Sequence, residues 1–143
     1  MIREYFLNRI KACSERAVAY GKSDISTESL KQQEALKFLS SHEDNLDLIM
    51  EYLLIYEYGF LLEKLQSVSW KIQKVLIKNI QLNEKVLSRT NNELIEQYKS
   101  DPCKIKGVVF FNSPRYQLID GYHRLKSQKN TSEEVLMLVA TPK

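Results

Sequence analysis

Between Arg115 and Lys126 the chain reads R-Y-Q-L-I-D-G-Y-H-R-L-K and gathers Asp120, Gly121, His123, Arg124 and Lys126 into one short stretch. Tyr116, Leu118 and Ile119 end a β-like run, Asp120-Gly121 breaks it, and Tyr122 to Gln128 can wind into a helix. A strand-to-helix turn directs backbone N–H groups and a partial positive charge toward one point, which is the physical recipe for holding phosphate. In that reading Asp120 caps the helix and Gly121 permits a positive φ or the close approach of a ligand. Arg124 supplies a fixed fork of donors, and Lys126 adds charge. His123 is either a phosphate ligand or a proton relay. The alternative is an ordinary capped turn carrying a surface histidine.

Asp120-Gly121-Tyr122-His123-Arg124, preceded by the strand-like R-Y-Q-L-I, resembles the D-G-x-H-R box of the ParB/sulfiredoxin superfamily. The flanks fit that placement: a K-V-L-I strand, a short helix, the G-V-V-F-F strand, the box and a final V-L-M-L-V strand. The resemblance spans about residues 67–143 and leaves the first half of the chain unexplained. It implies that Gly121, His123 and Arg124 sit where superfamily members bind nucleotide phosphates, with Asp120 supporting the turn or approaching a metal-bridged phosphate.

The departures narrow what the resemblance implies. The sulfiredoxin catalytic Cys lies between the Gly and the His, where this chain has Tyr122, so sulfinic-acid reduction by that route is excluded. Partition-type ParB proteins carry G-E-R-R-x-R-A. Gly121-Tyr122-His123-Arg124-Leu125-Lys126-Ser127 lacks the Glu and replaces two arginines with His123 and Lys126. Those proteins continue into a second nucleotide motif and a helix-turn-helix, whereas this sequence ends at Lys143, so a sliding DNA clamp is not expected. The D-G-x-H-R form is closer to the small-molecule kinase and ATPase branch, in which an upstream carboxylate acts as base. Glu84 and Glu93 are the upstream carboxylates here.

The elements that must position this box belong to a chain of 143 residues, 43% hydrophobic and 27% charged, with ordinary globular composition. Four Gly and three Pro point to long helices. Charge is uneven: residues 1–66 carry 8 Lys and Arg against 11 Asp and Glu, and residues 67–143 carry 13 against 7. The basic second half fits an anionic partner or a lysine-rich solvated face. Cys13 and Cys103 form no C-x-x-C pair, and no basic-then-apolar leader follows Met1. Thiols in a reducing cytoplasm are the expectation.

Residues 1–66 read as about three helices. Ile2, Phe6, Ile10, Cys13 and Ala17 make a stripe on a helix ending near Gly21. Ser26 or Thr27 starts a second helix, with Glu28 in its first turn and Leu30, Leu36 and Leu39 facing inward. Ser41-x-x-Asp44 reads as a capping box for a third, running to about Gln66. Apolar residues from Leu46 to Leu65 leave that helix little polar face, and Asp47, Glu51, Glu57 and Glu63 interrupt it, which excludes a membrane span. Tyr52, Tyr56, Tyr58 and Phe60 form either the core or a partner surface.

The second unit begins near Ser67 to Ser69. Ile72, Val75, Ile77 and Ile80 can line a buried side of one or two strands while Lys71, Lys74 and Lys78 stay in water, with a helix as the alternative that periodicity alone leaves open. Thr90-x-x-Glu93 reads as the capping box of a helix through Leu94, Ile95 and Tyr98 that Asp101-Pro102 stops. Lys106 to Phe111, a turn at Asn112-Ser113-Pro114 and the run into the box make a hairpin, and Glu133 to Val139 adds a last strand.

The expected architecture is α+β: a helical region, 1–66, packed on a small ParB/sulfiredoxin-like mixed-sheet domain, 67–143. The expected function is nucleotide binding, with ATP or another nucleotide and Mg, and with phosphoryl transfer or hydrolysis as the associated chemistry. His123 and Asp120 are the catalytic candidates; Gly121, His123, Arg124 and Lys126 are the phosphate-binding candidates; no residue is assigned to metal. The alternative is a non-catalytic interaction or regulatory module on a degenerate ParB-like scaffold. Its apolar helix, 43–66, would engage a protein partner or a second copy, or its lysine-rich face would associate with DNA. P-loop, Rossmann, zincin and zinc-ribbon motifs do not occur.

Overall fold

The computed structural model describes residues 2–58, 68–82, 91–100, 103–128 and 133–142. The chain divides into two compact units, Met1–Ser67 and Val68–Lys143, and is of the α+β class.

The first unit contains α1 (Ile2–Ala19), α2 (Ile25–Ser41) and α3 (Leu46–Tyr58). Gly21 ends α1: at φ 68° it lets its own N–H reach the Val18 carbonyl at 3.1 Å and the Lys22 N–H reach that of Ala17 at 2.9 Å. This is the paired closure that only a left-handed residue permits. Asp24 caps α2, its extended backbone directing Oδ1 to the Thr27 N–H at 2.7 Å. The expected start at Ser26 or Thr27 is therefore displaced upstream, because the carboxylate is the stronger acceptor for a first-turn N–H. That same bond holds the Asp24 carboxyl below its ordinary range. The capping box expected at Ser41 and Asp44 does not form. Ser41 is the last residue of α2, and Asn45 Oδ1 accepts the Leu48 N–H at 3.1 Å.

Tyr5, Phe6, Ile10, Leu39, Ile49, Met50, Leu53 and Leu54 are buried in this unit. Leu30 and Leu36 are not: they are 62% and 39% exposed, and α2 buries Glu28, Ala35 and Leu39 instead. Residues 28, 35 and 39 fall on one helical face, which sends Leu30 to the opposite side. Phe38 stacks on both His42 and Tyr52 with centroids 4.4 Å apart, so Tyr52 belongs to an aromatic column along the α2–α3 contact. Tyr58's side chain, Phe60 and the expected continuation of the helix to Gln66 lie outside the described residues. Among the described residues no helix is long and apolar enough to cross a membrane.

The second unit is a five-stranded mixed sheet in the order β1-β5-β3-β4-β2, made of β1 (Val68–Leu76), β2 (Ile80–Gln81), β3 (Ile105–Asn112), β4 (Arg115–Asp120) and β5 (Glu134–Pro142). A 3-10 turn, Ile77–Asn79, joins β1 to β2; α4 (Asn92–Lys99) precedes β3, and α5 (Tyr122–Lys126) follows β4. β5 runs antiparallel to β1 and parallel to β3, while β3 and β4 pair as the expected antiparallel hairpin. Alternation along β5 places Val135, Met137 and Val139 against Val75, Val109, Leu118, Tyr122 and Leu125. Leu138 and Ala140 face the other way, opposite Val108 and Trp70. Each fully buried aliphatic side chain contributes roughly 1.5–3 kcal/mol. Lys71, Lys74 and Lys78 are exposed, as their spacing predicts.

Gly107 and Gly121 set the join between sheet and box. A Cβ on Gly107 would overlap the Asp120 carbonyl and come within 3.0 Å of the Gly121 Cα. A Cβ on Gly121 would overlap the Lys106 carbonyl and lie 2.8 Å from the Gly107 Cα, at a φ of 105°. Backbone cannot swing aside as a side-chain tip can. We expect Gly107→Ala and Gly121→Ala each to destabilise the second unit by about 3 kcal/mol in urea unfolding. Gly21→Ala, with open space around it, should cost about 1 kcal/mol.

Burial, with Glu34 near Tyr52 and Glu28 near Tyr56, raises both phenol pKa values above the ordinary 10.0. The folded phenols hold their protons more tightly than the unfolded chain does. Their contribution is therefore complete below pH 10.0 and is lost as pH rises through the raised values. Circular dichroism followed against pH should show the helical unit losing stability in that alkaline window, with a shallower loss in Tyr56→Phe.

Candidate functional site

The box occupies the strand-turn-helix expected of it, but its residues face in different directions. Asp120 is the last residue of β4 and is half-buried. The helix cap is Gly121 rather than Asp120: it is left-handed, makes no side-chain cap bond, and its carbonyl accepts the Leu125 N–H at 2.9 Å. The close approach that Gly121 permits is to the backbone of Lys106 and Gly107. A glycine inside a β-branched strand is a signal of such an approach, and Gly107 could have been singled out on that ground.

In α5, Tyr122 and Leu125 are both 6% exposed and enter the sheet core, while Ser127 Oγ donates to the Arg124 carbonyl. Tyr122 is therefore an aromatic core residue. Arg124, 4% exposed, lays its guanidinium over the Tyr98 ring, 4.7 Å from the centroid. Tyr98 belongs to α4, so this contact fastens one helix to the other. A desolvated stack of this kind is worth about 2 kcal/mol.

His123 makes the second fastening. Its Nε2 accepts the backbone N–H of Asn91 at 3.1 Å, which fixes the neutral tautomer with the proton on Nδ1. Asn91 is the N-cap of α4, its side chain accepting the Leu94 N–H at 3.2 Å. The capping box expected from Thr90 and Glu93 is thus replaced. Glu93 sits one position too early to reach back to the cap N–H, and His123 supplies that acceptor from another helix. Thr90, Asp101 and Pro102 lie outside the described residues, as does Glu84.

The outward side of α5 carries His123 and Lys126, three residues apart and so on adjoining turns of one face. Tyr122 touches both: its ring meets the imidazole edge-on at 5.2 Å and lies 5.8 Å from the Lys126 Nζ. Lys126 is exposed and His123 half-buried.

No protein-family model, curated protein or solved structure matches the chain.

Asn91, Tyr98 and Gly107 each meet the box from a distant segment, and of the three Gly107 alone carried a signal in the sequence. Among the described residues no three His, Cys, Asp or Glu side chains gather as a metal site. His123 Nδ1–H and the Lys126 ammonium are the donors whose chemistry fits an anionic oxygen.

Arg124→Lys and Tyr98→Leu should each lower stability by about 1–2 kcal/mol, and the double variant should lose less than the sum. His123→Ala should cost about 1 kcal/mol and speed hydrogen exchange of the Asn91 amide.

Proposed function

We propose that the second unit is a ParB/sulfiredoxin-like nucleotide-binding module that holds phosphate on the outer face of α5. The observation that carries this reading is the left-handed glycine turn from β4 into α5, with His123 and Lys126 on one face beside it. His123 Nδ1–H donates to a phosphate oxygen, and Lys126 neutralises charge. Arg124 acts from behind, through its stack on Tyr98, to hold α5 and α4 in place. Magnesium, where present, comes with the nucleotide, and Asp120 is the carboxylate nearest the turn in sequence. Bound nucleotide supplies an activated phosphoryl group, and the chain's own contribution is to orient it. Phosphoryl transfer or hydrolysis, with His123 relaying a proton, extends the same reading. Cys13 and Cys103 are thiols, in keeping with a cytoplasmic setting.

A second reading is favoured by the burial of Arg124 and by the Asn91 N–H on His123. Under it the box is a structural clamp in a non-catalytic interaction module that associates with a protein partner, a second copy or DNA.

Calorimetric titration with ATP, CTP and GTP plus magnesium separates the two. We expect binding of one nucleotide in the micromolar range, weakened about tenfold or more in Lys126→Ala without loss of fold. Absence of binding by the folded protein, with Arg124→Ala affecting stability only, would establish the clamp.

A further inference from the structure

The helical unit encloses an open-mouthed cavity of about 570 Å³ between α1, α2 and α3, within the size range of small-molecule sites. At its floor lies Glu28, only 5% exposed. Its Oε2 accepts from Ser14 Oγ at 3.3 Å and from the Tyr56 hydroxyl at 3.4 Å, and its Oε1 pairs with Lys31 Nζ at 3.5 Å. All three contacts are long for charge-assisted bonds, and a carboxylate has room for about four donors. A buried carboxylate lining a cavity, with acceptor capacity beyond its three donors, can receive another.

The walls indicate which kind. Tyr52 and Tyr56 line the cavity, with ring centroids 6.3 Å apart and planes inclined by 20°. Aromatic rings beside a carboxylate favour an organic ammonium group. Lys22 also lines the cavity, with Arg16, Lys31 and Glu34, and its ammonium can meet an anionic group on the same molecule.

We propose that this cavity binds a small zwitterion of the amino-acid class, with its ammonium on Glu28 beside the tyrosine rings and its carboxylate at Lys22. The volume leaves room for a long or aromatic side chain. Ser14 and Tyr56 act as positioning residues by holding Glu28 toward the cavity. The site lies wholly within the first unit and stands whether or not the second unit binds nucleotide.

The test is isothermal calorimetry and thermal-shift screening of the full chain with each standard L-amino acid. For every hit, the corresponding amine without a carboxylate and the acid without an amine are run alongside. Saturable binding of at least one amino acid is expected, about tenfold or more weaker for each truncated probe and for Glu28→Gln. Lys22→Glu, an exposed change at the rim, should weaken binding by a similar factor and serves if Glu28→Gln does not fold by circular dichroism. The proposal is overturned if no amino acid binds the folded protein. It is equally overturned if a truncated probe binds as tightly as its parent, or if binding is unchanged in the folded Glu28→Gln variant or in Lys22→Glu.

Discussion

Two backbones meet without side chains where Gly107 of β3 faces Gly121 at the end of β4, and the geometry of the second unit follows from that contact. The Asp120 carbonyl approaches Gly107, and the Lys106 carbonyl approaches Gly121, more closely than a Cβ at either position would allow. β4 can therefore turn sharply into α5 while still pressed against its hairpin partner. The turn sets the angle of α5, and the angle decides which residues enter the core. A larger residue at either position would lift α5 from the sheet and withdraw Tyr122 and Leu125 from the cluster around Met137.

A helix of five residues cannot persist by its own hydrogen bonds, since nucleation costs more than one turn returns. Here tertiary contacts hold it on three sides. Tyr122 and Leu125 enter the sheet, Arg124 stacks on Tyr98, and His123 caps the start of α4. This divides the box into inward residues that build the platform and an outward pair that can meet a ligand. Arg124, expected as a phosphate fork, is stacked on Tyr98, and His123 has Nε2 on the Asn91 N–H. The basic character of residues 67–143 then adds a favourable field around the outward pair.

Much of this architecture is legible in residue order because its signals are local. The β-branched and aromatic run in Lys106 to Phe111, Asp-Gly at the break and Asn-Ser-Pro at the turn specify hairpin, stop and helix within a few positions of one another. What the order conceals is contact between distant segments. Residue order alone does not show that Gly121 lies against Gly107 or that Arg124 stacks on Tyr98. The helix starts at Asp24 and Asn91 misled for another reason. Several capping residues stood side by side, and backbone geometry chose among them. Leu30 and Leu36 were read as core from hydrophobicity, whereas the inward face of α2 follows Ala35, whose small side chain suits close helix approach.

The central claim is that the outward face of α5 holds phosphate while its inward face holds the fold. The most direct test is a series of two-dimensional ¹H–¹⁵N spectra of the uniformly labelled protein, including the His123 side-chain nitrogens, during titration with magnesium-ATP. Saturable shifts centred on Gly121 to Lys126, strongest at His123 Nδ1 and weaker at Nε2 and the Asn91 amide, are the predicted result. Spectra of the folded protein that stay unchanged through this segment at saturating nucleotide would contradict it.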